Sequence, residues 1–356
     1  MKILFDCRYT RFPRHDGISR FTTGLVAALA KLVPVTMVIS DERQLTMLPD
    51  LPWVLGTSPT GIREPLVSRL LNRFEPDVVF TPMQTMGPFG RHFGLVTTVH
   101  DLIYYENRTP PRDLAWPVRL LWRLYHLSWA PQRALLSRAD AHATVSETTR
   151  ELMIRHRLTK HPITVVPNAV DASIADTDVA PTPSLVYMGS FMPYKNVELL
   201  ARGMSLLPGY TLHLLSKADA STVQHITELA PAGAVEFHGG VTDAQYAEIL
   251  STATALVSAS LNEGFGLPLI EAMAGGTPIA VSDIPIFREI GGDAAVFFDP
   301  ASPESFAAAV RGLEAPAEWK RRSKLSRERA SHYSWDRSAQ ALLETLTAVH
   351  MARSEH

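Results

Sequence analysis

The 356-residue sequence contains a single cysteine, Cys7, and no long hydrophobic run. One thiol cannot form an internal disulfide, and it provides no cysteine cluster of the kind that binds zinc. Because no run of about 18 apolar residues occurs, no helix is expected to span a membrane. The first ten residues, MKILFDCRYT, include an acid and too short an apolar stretch for a signal peptide. These absences favour a cytoplasmic protein.

Low-complexity tracts and short repeats are also missing from the sequence. Hydrophobic residues make up 46% of the chain and the mean hydropathy is +0.02, which is typical of a globular protein with a full core. The length suits two α/β domains of about 150 residues each.

The net charge is only −2, but it is unevenly distributed along the chain. Residues 1–170 carry 21 Lys and Arg against 14 Asp and Glu, whereas the remainder carries 13 against 22. A basic first half favours an anionic partner, such as a phospholipid, a lipid phosphate or the diphosphate of a ligand. A solvated basic surface explains the asymmetry equally well, and no nucleic-acid partner is expected.

Short apolar runs alternate with helical patterns, which indicates parallel sheets with ligands at the carboxyl ends of the strands. A helix is expected over residues 63–74 and another over residues 116–138, with a break at Pro131. Strands are expected at residues 2–6, 35–39, 76–80, 95–99, 139–145, 163–166, 185–188, 212–215, 235–237, 253–257 and 279–281.

The most informative stretch covers residues 258–300. It follows a buried-strand pattern and passes through Gly264-Phe265-Gly266 to Pro268, which opens a helical pattern. A strand, a glycine loop and a helix N-terminus make a seat for an anion. Glu263 before the loop and Glu271 within the helix can both face a ligand there. Since carboxylates only accept hydrogen bonds, the paired hydroxyls of a sugar are their expected partners.

The order Glu263-GFGLPLI-Glu271, followed by AMAGGTPIAVSD and GGDAAVFFDP, resembles the Glu-x7-Glu signature of retaining nucleotide-sugar glycosyltransferases, family 4, group 1. About forty consecutive positions match in order, which is far more specific than a lone glycine motif. The resemblance implies the α/β fold called GT-B, with two facing Rossmann-like domains and an interdomain cleft. It also implies retention of anomeric configuration, with no cofactor and no required metal.

The resemblance covers nearly the whole chain and implies its division into domains. An acceptor-binding domain is expected over residues 1–173, completed by a C-terminal helix at about 336–356, and a donor-binding domain over residues 183–335. Residues 175–183, with two prolines and no large apolar side chain, are typical of a linker. The Asp-x-Asp pair of Asp176 and Asp178 falls in this linker, and no metal ligands are expected.

Ten positions lie in the segments that the resemblance implies bind the donor. They are Gly17, Gly189, Ser190, Lys195, Asn196, Gly264, Phe265, Gly266, Leu267 and Glu271. Lys195 is the expected point charge for the diphosphate, and Glu271 is expected to bind the ribose diol. The family often has an arginine just after Gly189 or just before Lys195, where the chain has Ser190 and Tyr194. A second positive charge must then come from elsewhere, with Arg20 and Arg288 as candidates.

The resemblance implies a catalytic set of His100, Glu263 and Lys195. His100 follows a predicted strand, where a histidine alone is more often structural, but a His-Asp pair here recurs in the family's active sites. Its imidazole is expected to hydrogen-bond a sugar hydroxyl, as is Glu263. The acceptor-binding candidates are Gln84, Asp101 and Arg20.

The segments VHDL and GSFMPYKN look most like those of bacterial enzymes that use GDP-mannose to build polysaccharides or glycolipids. The resemblance therefore implies α-mannosyl transfer from GDP-mannose to an oligosaccharide, polysaccharide or glycolipid acceptor. A UDP-sugar, either glucose or N-acetylglucosamine, is the alternative donor. A non-catalytic protein that binds a sugar nucleotide or a glycan on the same fold is a second alternative.

The predicted helix over residues 116–138 combines tryptophans and leucines with several arginines. This pattern is typical of a basic amphipathic helix, which can contact an anionic membrane at its inner face. Such a helix can also stack on an acceptor glycan. Core packing with solvated arginines explains the pattern equally well.

Overall fold

In a computed structural model, which describes residues 1–110, 116–170 and 181–355, the chain divides into two compact units. The first unit comprises Met1–Ala169 and Ser334–His356, and the second comprises Val170–Tyr333. Each unit contains one parallel sheet flanked by helices, with seven strands in the first and six in the second. The predicted α/β class is confirmed.

The first unit is built on seven parallel strands in the order β3-β2-β1-β4-β5-β6-β7. The strands are β1 (Ile3–Asp6), β2 (Val35–Ile39), β3 (Trp53–Leu55), β4 (Val78–Thr81), β5 (Gly94–Val99), β6 (Ala141–Thr144) and β7 (Ile163–Val165). The helices before residue 170 are α1 (Gly17–Ala30), α2 (Val67–Leu71), α3 (Ile103–Glu106), α4 (Trp116–Tyr125), α5 (Ala130–Leu136) and α6 (Glu147–Arg155). Every residue of β1, β4, β5 and β6 is buried, as expected of parallel strands covered on both faces.

The second unit has the strand order β10-β9-β8-β11-β12-β13, again all parallel. Its strands are β8 (Thr182–Tyr187), β9 (Thr211–Leu214), β10 (Val235–Phe237), β11 (Ala253–Ser258), β12 (Ile279–Ser282) and β13 (Val296–Phe298). Its helices are α7 (Val197–Gly203), α8 (Ala220–Leu229), α9 (Asp243–Thr252), α10 (Leu267–Ala274), α11 (Pro285–Gly291), α12 (Pro303–Arg311) and α13 (Pro316–Ala330).

The last helix, α14 (Trp335–Ser354), belongs to the first unit and packs against α1. The approach is close, because a Cβ atom at Gly24 would overlap the ring of Trp335. Ser338 Oγ also donates a hydrogen bond to the carbonyl oxygen of Pro167 at 2.7 Å. The C-terminal residues therefore complete the hydrophobic core of the first unit.

Some local expectations are wrong. The edge strands β3 and β13 are absent from the predicted set, and the helix expected over residues 63–74 is only the short α2 between two 3-10 turns. The chain breaks after Tyr125 rather than at Pro131, since proline fits the first turn of α5. Residues 182 and 183 of the predicted linker lie in β8, and residues 175–180 lie outside the described residues.

The strand order reverses once in each sheet, and this is where ligands bind in open α/β sheets. The reversal lies between β1 and β4 in the first unit and between β8 and β11 in the second. The loops that leave the carboxyl ends of these strands therefore form the candidate binding regions. Among the described residues, no helix is both long and apolar enough to cross a membrane.

Candidate active site

Lys195 and Glu263 lie in the loops that follow the two central strands of the second sheet, β8 and β11. Lys195 Nζ donates a hydrogen bond to Glu263 Oε1, and the two side chains are 17% and 13% exposed. The backbone joins the same loops, because the Leu261 amide donates to the Tyr194 carbonyl at 2.7 Å. The structure thus brings together two of the three predicted catalytic side chains.

The Glu263 carboxylate is oriented by a serine that the sequence motifs did not single out. Ser260 Oγ donates to Glu263 Oε1 at 2.8 Å and lies 3.2 Å from Ser258 Oγ. Ser282 Oγ in turn donates to the Ser260 carbonyl at 2.5 Å. Lys195 and Ser260 both bind Oε1, so Oε2 takes part in neither bond. The sequence feature that could have indicated this contact is Ser260, which stands three positions before Glu263.

The glycine loop and helix expected after Glu263 are present in that order. Gly266 precedes α10 with φ +103°, a left-handed conformation that favours glycine. Phe265 is buried and its ring meets Tyr333 edge to face at 5.6 Å between centroids. Glu271 lies in the second turn of α10 and is half-buried. The first turn of α10 contains Pro268 and presents its backbone N–H groups toward the loop.

The loop that carries Gly189, Ser190 and Asn196 is fixed by its own side chains. Tyr187 Oη donates to the Ser190 carbonyl at 2.6 Å, and a Cβ atom at Gly189 would lie 2.7 Å from that hydroxyl. Asn196 has φ +51° and its Nδ2 donates to the Pro300 carbonyl at 2.9 Å. Burial, and secondarily the nearby Glu263 carboxylate, raise the pKa of Tyr187 well above its usual value, so the hydroxyl stays a neutral donor.

This loop has Tyr194 directly before Lys195, where the resemblance leads us to expect an arginine. Tyr194 places its ring 5.4 Å from Lys195 Nζ, measured to the ring centroid. Arg288, one of the two candidate replacements, makes a two-bond ion pair with Asp283 at 2.5 and 2.6 Å. Its charge is therefore already compensated by a carboxylate. Arg20, the other candidate, lies in α1 of the first unit.

His100 follows β5 in the first unit, and the structure fixes its tautomer. His100 Nε2 lies 2.7 Å from the Pro82 carbonyl oxygen, which only accepts, so Nε2 carries the proton. The ring meets Phe21 of α1 edge to face at 5.0 Å between centroids. Burial lowers the pKa of His100, although the bond to Pro82 opposes this. The neutral ring therefore has Nδ1 as a hydrogen-bond acceptor.

Gln84, an acceptor-binding candidate, is held by a buried amide. Gln84 Oε1 accepts from Gln132 Nε2 at 2.5 Å, and Gln132 Oε1 accepts from Tyr125 Oη at 3.1 Å. Gln132 is 1% exposed, so this chain fixes the loop after β4 against α5. The oxygen of the Gln84 amide is therefore held by a structural hydrogen bond.

The other candidates of the first unit lie at helix starts. Gly17 is exposed and is the first residue of α1. Asp16 caps the helix by accepting from the Ser19 amide at 2.9 Å. Asp101 Oδ1 accepts from the Ile103 amide at 3.1 Å at the start of α3. Asp101 therefore has a structural hydrogen bond besides any role toward a ligand.

A buried ionic network occupies the strand reversal of the first unit, and the sequence motifs did not identify it. Arg8 Nε donates to Asp6 Oδ1 at 2.8 Å, and its Nη1 donates to Glu64 Oε2 at 2.6 Å. Thr81 Oγ1 donates to Asp6 Oδ2 at 2.9 Å. Burial raises the pKa of Glu64 despite the opposing effect of Arg8. The sequence feature that could have indicated this network is the pair of Asp6 and Arg8 at the end of β1.

Family comparisons agree with this architecture in both units. The family described as "Glycosyl transferases group 1" matches residues 177–331, and "Glycosyltransferase Family 4" matches residues 15–174. The two matches together span most of both units. The chain therefore belongs to the group 1, family 4 glycosyltransferases, and it is a glycosyltransferase of the GT-B fold. The membership of group 1, family 4 that the Glu-x7-Glu motif indicated is confirmed.

The curated relatives include several bacterial mannosyltransferases. O-antigen chain mannosyltransferase RfbU of Salmonella typhimurium is 24% identical over 84% of this chain and 87% of that protein. Serotype-specific mannosyltransferase WbdA of Escherichia coli is 27% identical over 70% of this chain, which spans only 33% of WbdA. MMP alpha-(1->4)-mannosyltransferase of Mycolicibacterium hassiacum is 27% identical over 68% of this chain and 62% of that protein.

Solved structures show the fold over nearly the whole length. Sucrose-phosphate synthase of Thermosynechococcus elongatus has a TM-score of 0.76 and 19% identity, with 99% of each chain covered. HepE of Anabaena in complex with UDP-glucose has a TM-score of 0.73 and 18% identity, with 98% of this chain and 100% of HepE covered.

Proposed function

We propose that the chain transfers an α-mannosyl residue from GDP-mannose, with retention, to a growing oligosaccharide, polysaccharide or glycolipid. The mannosyltransferase relatives carry this proposal, above all RfbU, which is similar over 84% of this chain. The paired Lys195 and Glu263 side chains support it, because a sugar diphosphate needs a cation for its phosphates and an acceptor for its hydroxyls.

The second unit is proposed to hold the donor. Lys195 and the N–H groups at the start of α10 would bind the diphosphate, and Gly266 allows the backbone to approach it closely. Glu263 would accept a hydrogen bond from a hydroxyl of the transferred sugar through Oε2, while Lys195 and Ser260 hold Oε1. Glu271 would accept from the ribose hydroxyls.

The first unit is proposed to serve the acceptor and to present His100 to a sugar hydroxyl. Because His100 Nε2 is bound to the Pro82 carbonyl, its Nδ1 is the atom that would accept from that hydroxyl. Gln84, Asp101 and Arg20 are proposed acceptor contacts. Gln84 would use its amide group at the edge not tied to Gln132.

In the proposed reaction the bond from the anomeric carbon to the diphosphate oxygen breaks, and negative charge builds on the leaving phosphate. The acceptor hydroxyl oxygen forms the new bond on the same face of the sugar, and its proton passes to the leaving phosphate oxygen. The transition state has oxocarbenium character, so the acceptors near the sugar and the positive charge near the phosphate both stabilise it. No enzymic nucleophile and no metal ion is needed in this scheme.

The alternative donor is a UDP-sugar. Structural neighbours favour testing it, since HepE is described in complex with UDP-glucose, although a likeness at 18% identity concerns the fold alone. A third possibility, a protein that binds a sugar nucleotide or a glycan without catalysis, is disfavoured by the joint presence of His100, Lys195, Glu263 and Glu271.

Thermal unfolding with GDP, UDP and ADP at equal concentration separates these functions, because a ligand bound to the native state raises the midpoint. A selective shift with GDP, followed by mannosyl transfer and release of GDP, is the expected result. A selective shift with UDP would replace GDP-mannose by a UDP-sugar. Nucleotide binding without transfer to any mannan or mannolipid acceptor would support the non-catalytic alternative.

Helix α4 has an exposed surface that is both apolar and basic, which would suit an acceptor held in a membrane. None of its ten residues is buried, and its apolar side chains include Trp116 at 77% and Leu121 at 66% exposure. The helix carries Arg119 and Arg123 and no acidic residue. We propose that this helix contacts an anionic membrane surface at the inner face, where a glycolipid acceptor is presented.

A further inference from the structure

His213, Glu236 and His238 form a compact cluster on the two strands at one edge of the second sheet. His213 lies in β9 and is paired in register with Glu236 in β10. His238 is two residues beyond Glu236, so its side chain projects to the same face. The alternate residues of β9, Leu212 and Leu214, are fully buried in the core, so the cluster lies on the opposite face.

The distances among the three side chains match the edges of a tetrahedral coordination site. His213 Nδ1 lies 3.1 Å from His238 Nε2 and 3.4 Å from Glu236 Oε2. His238 Nε2 lies 3.7 Å from Glu236 Oε1. Metal–ligand bonds of about 2.0–2.1 Å in a tetrahedral zinc site place neighbouring ligand atoms roughly 3.3 Å apart. These distances join the two ring nitrogens and both oxygens of Glu236, so the two nitrogens and Glu236 Oε2, which is 3.4 Å from His213 Nδ1, are already near ligand spacing.

We propose that these three side chains bind one divalent transition-metal ion, with Zn²⁺ as the best fit. Two imidazole nitrogens and one carboxylate are ligands that Zn²⁺ prefers, whereas Mg²⁺ prefers an all-oxygen shell. Both histidine side chains are 20% exposed and Glu236 is 58% exposed, so an ion can enter and a water molecule can complete the shell.

The two imidazole rings contact each other directly through their nitrogens. Neutral imidazole is the form that binds a metal. Without a metal, the 3.1 Å contact between the two rings requires one nitrogen to donate to the other.

The proposed ion has a structural role that is separate from glycosyl transfer. β10 is a three-residue edge strand, and its Val235 and Phe237 are only partly buried. A shared ion would tie this strand to β9 and would also hold the segment that begins at His238. The site uses no residue of the Lys195 and Glu263 loops, and it requires no change in the proposed reaction.

Calorimetric titration of untagged full-length protein with ZnCl2 tests the proposal. The expected result is one equivalent bound with micromolar or tighter affinity, and no competition from millimolar Mg²⁺. His213→Ala and His238→Ala should each weaken binding at least tenfold. His225→Ala is the matched control, because His225 Nε2 lies 3.1 Å from Glu198 Oε1 in the same unit and the part of the chain that the structure describes offers no third ligand there. It should bind like the wild type.

A second measurement covers the case in which an alanine variant does not fold. Glu236→Gln alters an exposed side chain and keeps its shape, so it should fold normally, bind Zn²⁺ at least tenfold more weakly and lose the increase in thermal midpoint that Zn²⁺ gives the wild type. Co²⁺ should give the intense visible absorption of a tetrahedral site in the wild type but not in Glu236→Gln. Failure of the wild type to bind Zn²⁺ would overturn the proposal, as would equal binding in Glu236→Gln and the wild type.

Discussion

Glu263 Oε1 accepts a hydrogen bond from Lys195 Nζ across 68 positions of sequence. The two residues lie in the loops that follow the neighbouring parallel strands β8 and β11, where the strand order reverses. A cation and a carboxylate are therefore held side by side in the region where α/β sheets bind ligands. Because the two charges are paired, neither is buried without a partner.

Replacing Glu263 by alanine should lower glycosyl transfer by more than about tenfold while nucleotide binding survives. The carboxylate is proposed to contact the sugar near the reacting carbon, and one lost transition-state contact has an effect of this size or larger. Initial rates with saturating donor, together with nucleotide titrations, measure the two effects separately. Glu248→Ala on the exposed face of α9 is the control and should leave both unchanged. Equal transfer rates in the Glu263 variant and the wild type would contradict the assigned role.

Lys195→Met should weaken binding of the nucleoside diphosphate by about 10- to 100-fold, since a hydrogen bond to a charged group contributes roughly 1.5–3 kcal/mol. Lys195→Arg retains the charge but not its geometry, so an intermediate affinity is expected. Calorimetric titration with GDP or UDP provides the comparison, with exposed Lys320→Met in α13 as the control. If Lys195→Met binds like the control, the diphosphate lies elsewhere.

Arg8→Met should lower the free energy of unfolding by about 3–5 kcal/mol, because removing one partner leaves the buried Asp6 and Glu64 carboxylates uncompensated. Arg8→Lys should not restore stability, since one ammonium group cannot bind both carboxylates as the guanidinium does. Urea denaturation checks both. The Arg43 ion pair with Asp41 is exposed, so Arg43→Ala should change the unfolding midpoint little. Similar midpoints for the Arg8 and Arg43 variants would show that the network is not structural.

His142 should make the protein lose stability as the pH falls from about 6.5 toward 4. Burial, with a smaller contribution from His161, lowers the pKa of His142 to about 4, and the ring bonds Thr97 Oγ1 at 2.8 Å and Thr159 Oγ1 at 3.1 Å. The unfolded state therefore binds a proton at higher pH than the folded state, so the stability is complete above the unfolded pKa and declines below it.

The decline attributable to His142 should reach roughly 2–3 kcal/mol by pH 4.5. Urea denaturation at pH 7 and pH 4.5 measures it. His142→Gln removes the titrating ring and should flatten the dependence, whereas His92→Gln at an exposed site should not. The same pH dependence in wild type and His142→Gln would assign the acid sensitivity to other groups.

Leu120→Glu combined with Leu121→Glu should abolish binding to vesicles that contain anionic lipid. The two leucines are 50% and 66% exposed on α4, and acidic replacements oppose both burial in lipid and attraction to the surface. Co-sedimentation with anionic and zwitterionic vesicles measures the effect. Met351→Glu, at a residue 60% exposed on α14, is the matched control and should bind like the wild type. Vesicle binding that survives the double substitution would exclude α4 as the contact.

The sequence predicted the elements whose local signals agree with their tertiary environment. The buried strand before Ser258, the glycines around Phe265 and the proline at the start of α10 all follow from local backbone chemistry. Ser146 likewise caps α6, where it accepts from the Thr149 amide at 3.1 Å. Strong, consistent local preferences of this kind fix where an element begins.

The parts that were missed depend on contacts between distant residues. Arg8 meets Glu64 56 positions away, and no periodic pattern relates the two. The ends of the helix expected over residues 63–74 are 3-10 turns, which have the same apolar spacing as a short helix. β3 has a half-exposed pattern at a sheet edge, so it lacks the continuous apolar run that marks a central strand.

The return of α14 to the first unit has a consequence for the order in which the molecule is made. Ribosomal synthesis completes all of Val170–Tyr333 before Trp335 emerges to cover Phe21 and the surface of α1. The second unit, continuous in sequence, can fold while the first still has an open hydrophobic face. During this interval the face of α1 that Trp335 later covers stays exposed, and a chain that stops before residue 335 would keep that face exposed.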